Sequence, residues 1–99
     1  YPDIWRQVGD PDVPGGHADS FATSLALYLR PSAVRRALIA DPHSAPVDWD
    51  SAELDFSRYS RSGVIGDPTH ASAALGRRLW AALVERVAAI LAGIARRED

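Results

Sequence analysis

The longest helically spaced set of apolar positions lies near the end of the chain. Leu75, Leu79, Leu83, Val87, Ile90, Leu91 and Ile94 fall on one stripe, with Arg77, Arg78 and Glu85 on the other side. Asp67 is a good N-cap, and Pro68 suits the first helical position, where its missing donor costs nothing. Arg96 and Arg97 sit where the helix dipole favours cations. Such a stripe must be buried against another element, and the expected partner is a sheet supplied by sequence outside this chain. A second apolar set predicts a helix over residues 20–30, with Ser20 as cap, Phe21, Leu25, Tyr28 and Leu29 on its face, and Pro31 as its stop.

The remaining pattern is weaker. Residues 1–16 hold Pro2, Pro11, Pro14, Gly9, Gly15 and Gly16, which predicts a loop with a short extended piece over Ile4 to Val8. Residues 32–39 predict a short helical turn, ended by Asp41 and Pro42. Residues 41–66 read as irregular, with an acidic run of Asp48, Asp50, Glu53 and Asp55 and a short edge strand over Phe56 to Tyr59. The acidic run reads as a solvated loop, since it lacks the regular oxygen spacing of a calcium site.

Composition narrows the function classes. The chain has 99 residues, enough for one small domain with a modest core, and 46% of them are hydrophobic. Net charge is -2, and every one of the 11 basic residues is arginine. Without a basic excess, no nucleic-acid partner is expected. With no cysteine there is no disulfide, thiolate nucleophile or cysteine zinc site. Glu85 and Arg86 interrupt the apolar segment from Leu79 to Ile94, so no membrane span is expected. No signal peptide is read, and a cytoplasmic protein is the expectation. The chain opens on Tyr1 and its first clear signal is a loop, which reads as part of a larger domain.

The candidate chemistry sits in the stretch PGGHADSFATSLALYLRP, residues 14–31. His17 follows Gly15 and Gly16. Taken alone, a histidine beside glycines is a weak signal for a site. His43 and His70 read as a surface loop residue and a first-turn helix residue, not as ligands. Trp80 reads as core or subunit interface, while Trp5 and Trp49 are loop residues suited to lining a pocket or a subunit contact.

Two stretches taken together resemble the creatininase family, the creatinine amidohydrolases. In GGHADSFATSLALYLRPSAVR, the residues His17, Ala18, Thr23, Ser24, Leu29, Arg30, Pro31 and Val34 fit the family pattern. In SGVIGDPTHASAALGRRL, the residues Gly63, Val64, Gly66, Asp67, Pro68, Thr69, Ala71 and Gly76 fit the family's glycine-rich turn and alanine-rich helix. The resemblance covers roughly residues 15 to 95, with both motifs in order.

It implies a three-layer α/β/α domain with a mostly parallel sheet, of which residues 1–99 form the C-terminal portion. It implies a metal-dependent amidohydrolase in which a dinuclear centre activates water for attack on an amide or cyclic amide. The metals, zinc or manganese, would be held mainly by ligands outside this chain, because the family's Glu-x-His and Asn-x-His segments do not occur here. His17 would be the proton shuttle to the leaving nitrogen, a task suited to imidazole. Gly15 and Gly16 would shape the substrate loop. Asp19 stands where the family has glycine; it would contact substrate, or else act as a helix cap or dipole partner. Ala22 replaces the family's glutamate. Val13 and Pro14 stand where creatininases carry a substrate-stacking tryptophan, which argues against creatinine itself. The family includes peptide-processing members from redox-cofactor maturation, so small-molecule and peptide amides are both expected substrates, and its members are commonly homo-oligomers. The alternative is a non-catalytic, degenerate creatininase-like module.

Overall fold

The computed structural model describes residues 2–52 and 54–97. They form three helices, α1 (Pro2–Val8), α2 (Ser20–Leu29) and α3 (Ala73–Arg97), with 3-10 turns at Pro31–Ala33, Arg36–Leu38 and Phe56–Arg58. The expected loop and extended piece at the start is in fact α1. Pro2 opens it with a φ already suited to a helix, and Ile4, Trp5 and Val8 then share one face. Ile4 and Trp5 join Val13, Phe21 and Leu79 in the core, with Val8, Leu25, Leu75, Ala82 and Leu83 packed around them. The Trp5 and Phe21 rings meet edge to face, centroids 6.2 Å apart.

Helix α2 is a small-residue scaffold for the start of α3. Its cap is Asp19, not Ser20: Asp19 Oδ1 accepts from the Ala22 N–H at 3.0 Å. Ser20 is free to reach across instead. Its hydroxyl donates to the Asp67 carbonyl at 2.6 Å and accepts from the His70 N–H at 3.2 Å. One turn on, Ser24 Oγ accepts from the Ser72 N–H at 3.1 Å. Both serines are fully buried, so these bonds satisfy polar groups that would otherwise be costly inside the protein. The backbones then come together. A Cβ built on Gly76 would lie 2.5 Å from the Ser24 carbonyl carbon and 2.8 Å from Tyr28 Cβ.

The same bonds explain why α3 starts at Ala73 rather than at Pro68. The Asp67 carboxylate closes a local turn, accepting from the Thr69 N–H at 2.8 Å and the Thr69 hydroxyl at 2.5 Å. Ser72 takes over the capping role, its Oγ accepting from the Leu75 N–H at 3.0 Å. His70 accordingly lies in the turn before the helix.

The predicted three-layer α/β/α architecture with a mostly parallel sheet is not found. Among the described residues there is no strand, and β-pairing is limited to one antiparallel bridge between His17 and Ile65. The backbone stops the ladder at one rung. Ala18 (φ 52°) and Gly66 (φ 97°) both turn the chain out of extended geometry one residue past the bridge. The proposed edge strand at Phe56–Tyr59 is likewise a 3-10 turn, because Asp55 Oδ1 accepts from the Ser57 N–H at 3.0 Å and pulls the chain round. Of the acidic run, Asp48, Asp50 and Asp55 are exposed, and Glu53 lies outside the described residues.

The stripe of α3 divides in two. Leu79 is fully buried and Leu75 and Leu83 are half-buried, while Val87, Ile90, Leu91 and Ile94 are exposed. Length accounts for this: 10 residues of α2 span about 15 Å and 25 residues of α3 about 37 Å. Trp80, read as core or interface, is 41% exposed. No helix among the described residues is long and apolar enough to cross a membrane.

Candidate functional site

His17 lies in a loop fixed from both sides. Its N–H donates to the Ile65 carbonyl at 2.9 Å, and the Ile65 N–H donates back at 2.8 Å. The next residue, Ala18, holds the left-handed conformation at φ 52°, uncommon for a residue with a side chain. Asp19 clamps the loop from within. Its side chain is buried, with Oδ2 accepting from the Gly16 N–H at 2.8 Å and Oδ1 capping α2. A loop of four residues is thus tied to a helix N-terminus and to a distant segment, while the His17 side chain itself is exposed.

The second segment is held as tightly. The Asp67 N–H donates to the Pro14 carbonyl at 2.8 Å, and the Gly66 N–H donates to Ser44 Oγ at 3.1 Å. A Cβ on Gly66 would lie 2.5 Å from the Pro14 carbonyl oxygen, so only glycine allows this approach.

A pair of aromatic rings lies to one side of His17. Its imidazole lies 4.9 Å from the Phe56 ring at a 52° tilt, and Trp49 meets Phe56 edge-on at 5.8 Å. Trp49 also reaches Gly16, where a Cβ would come within 3.0 Å of its ring. Trp49 also lines a cleft of about 660 Å³, together with Trp5, Val13, Pro14, Gly15 and Gly16 among others. The structure therefore brings Gly15 and Gly16 into one wall with two tryptophans and sets His17 beside them. The Asp19 carboxylate supports the loop. Residue pattern alone did not connect Phe56 or Trp49 to His17, because they lie more than thirty residues away in a segment without periodicity.

The other histidines pair with nearby carboxylates. His70 Nε2 is 3.2 Å from Asp67 Oδ2, and His43 Nδ1 is 3.4 Å from Asp41 Oδ2. Asp67 is held below the usual carboxylate range, chiefly by the hydrogen bond from the Thr69 hydroxyl, with the Thr69 N–H, His70 and His43 adding to it against the effect of burial. Among the described residues no three histidine, aspartate or glutamate side chains converge as a metal cage would require. The described residues by themselves do not fit a dinuclear centre.

A family model described as creatinine amidohydrolase matches residues 4–91. Two curated relatives, both named mycofactocin precursor peptide peptidase, come from Mycobacterium tuberculosis strains CDC 1551 / Oshkosh and ATCC 25618 / H37Rv. Each is 39% identical over 77 residues, covering 73% of this chain and 31% of the relative. The chain thus spans about a third of the length of the curated relatives it matches. No solved structure matches.

Proposed function

This chain belongs to the creatininase family, and from that premise we propose that it supplies the proton-transfer loop of an amidohydrolase acting on a peptide amide. The observation that carries the reading is the His17 loop: the backbone is pinned at Gly16, His17 and Ala22, the imidazole is exposed, and the two glycines just before it line a cleft with two tryptophans. As the amide C–N bond breaks, the departing nitrogen needs a proton, and a histidine that can hold and release one near neutral pH suits the task. Gly15 and Gly16 line the cleft where substrate would bind, and the missing side chain of Gly16 lets Ile65 and Trp49 close against the loop. Asp19 serves substrate binding through the shape it gives this loop. A cleft of about 660 Å³ with mostly apolar walls is large enough for an apolar side chain and its flanking peptide units. The peptidase name of the two relatives supports a peptide substrate.

The divalent metal, zinc or manganese, would be held mainly by ligands outside this chain; the described residues form no cage of three such side chains. A second reading, a non-catalytic module, is favoured by one observation: Ala22 stands in the first turn of α2 where the family carries glutamate.

The test is His17→Ala in the complete protein, assayed on a mycofactocin precursor peptide. Loss of general acid–base catalysis lowers kcat by roughly 100- to 10,000-fold, with KM changed much less. Metal content, measured by elemental analysis, stays at the parent's level. Unchanged turnover removes His17 from the chemistry. A parent protein without any turnover favours the non-catalytic module.

A further inference from the structure

We propose that Phe56 is a positioning residue for His17, holding the imidazole plane in the orientation from which it delivers its proton; this rests on the functional reading above. The loop's hydrogen bonds fix the His17 backbone but leave its side-chain torsions open. Both bonds made to His17 are to its main chain, one through N–H and one through C=O. Its ring meets that of Phe56, at 4.9 Å and 52°. A tilted aromatic contact of this kind restricts how an imidazole can rotate while leaving its nitrogens open to a substrate. Phe56 is itself held in place. It opens a 3-10 turn capped by Asp55, whose Oδ1 accepts from the Ser57 N–H at 3.0 Å and the Ser57 hydroxyl at 2.6 Å. Trp49 closes the far side of the ring edge-on, at 5.8 Å and 86°. Trp49 in turn packs over Gly16, the residue before His17. The series Gly16, Trp49, Phe56, His17 therefore returns to its own starting point, so the orientation of the imidazole is tied to the loop that carries it. Phe56 is half-buried at the surface and outside the core, so its removal leaves the fold standing.

The test is a double-mutant cycle in the complete protein, again with a mycofactocin precursor peptide as substrate. Phe56→Ala lowers kcat by roughly 10- to 100-fold, the range for misplacing a catalytic group by about an ångström, with little change in KM. Phe56→Tyr keeps the ring and restores most of kcat. In a His17→Ala background, Phe56→Ala causes no further loss, because the group it positions is gone. A readout independent of turnover is the NMR signal of the His17 ring, assigned by its disappearance in His17→Ala; it moves in Phe56→Ala and returns toward the parent position in Phe56→Tyr. An undiminished kcat loss from Phe56→Ala in the His17→Ala background overturns the proposal, as does a loss confined to KM, which makes Phe56 a substrate wall. An unmoved His17 signal also overturns it. Full turnover in His17→Ala alone is the separate signature that the functional reading has failed, and this proposal with it.

Discussion

The crossing of α2 and α3 rests on the absence of one methyl group. Gly76→Ala places a Cβ 2.5 Å from the Ser24 carbonyl carbon and 2.8 Å from Tyr28 Cβ. An ordinary carbon contact is about 3.5 Å, so the helices must part by on the order of 1 Å. The obstacle is backbone of a packed helix, which cannot swing aside as a flexible side chain would. A gap of about 1 Å forfeits roughly a quarter to a half of each dispersion contact across it. Phe21 of α2 and the fully buried Leu79 of α3 share the core between the two helices. The opening also strains the Ser24–Ser72 and Ser20–His70 hydrogen bonds that set the start of α3. Overpacking of this kind costs about 3 kcal/mol. Against it stands the better helix propensity of alanine, about 1 kcal/mol. The net destabilisation is therefore about 2 kcal/mol, read as a lower urea midpoint at constant slope. A Gly76→Ala variant as stable as the parent, or more so, would show that α2 and α3 do not cross as described, since only propensity would then be acting.

Two further measurements probe other parts of the chain. Leu79→Ala, at a fully buried position, lowers stability by about 2–5 kcal/mol, whereas Leu91→Ala, at a position 60% exposed, changes it by less than about 0.5 kcal/mol; equal losses would mean that the end of α3 is covered. The Asp67 carboxyl titrates lower in the folded chain than in the unfolded one, chiefly because the Thr69 hydroxyl donates to it. Its contribution is therefore fully present above the unfolded value of about 3.9 and is lost as pH falls through the folded value, so Asp67→Asn flattens the acid limb of stability against pH. An acid limb of the same slope in Asp67→Asn would remove Asp67 from that balance.

Those parts of the fold governed by local chemistry were legible in the sequence. The α2 span follows from its apolar spacing and from Pro31, and the body of α3 from its stripe. What failed was long-range. Ser20 is as good a cap as Asp19 on paper, but in the folded chain it bonds residues 67 and 70, which lie 47 and 50 positions away. Asp67 and Pro68 form a sound helix start by rule, yet Ser24 and Ser72 move that start to Ala73. The start of the chain carried prolines and glycines that suggested a loop, and burial of Ile4 and Trp5 against Phe21 and Leu79 made it a helix. The sheet was inferred from a stripe that needed covering and from resemblance, and neither supplies strands to these residues. At the site, His17 and its glycines were visible as a motif. Phe56 and Trp49 were not, since contact across a loop leaves no periodic trace.

The single rung between His17 and Ile65 divides the chain's tolerance to change. Residues 14–29 and 65–79 are bound to each other through Pro14, His17, Ser20 and Ser24, so their spacing and register cannot drift independently. The stretch between them leaves from the C-terminal end of α2 and returns at the His17–Ile65 rung, near the helix's start. Closing such an excursion depends only weakly on its length, about 0.6 kcal/mol for each doubling. Insertions and deletions there leave the histidine's backbone where it is. Phe56 and Trp49, the rings beside His17, belong to that length-tolerant stretch. The His17 loop is thus held in register by main-chain bonds to Ile65, whereas Phe56 and Trp49 reach it from that stretch through side-chain contacts.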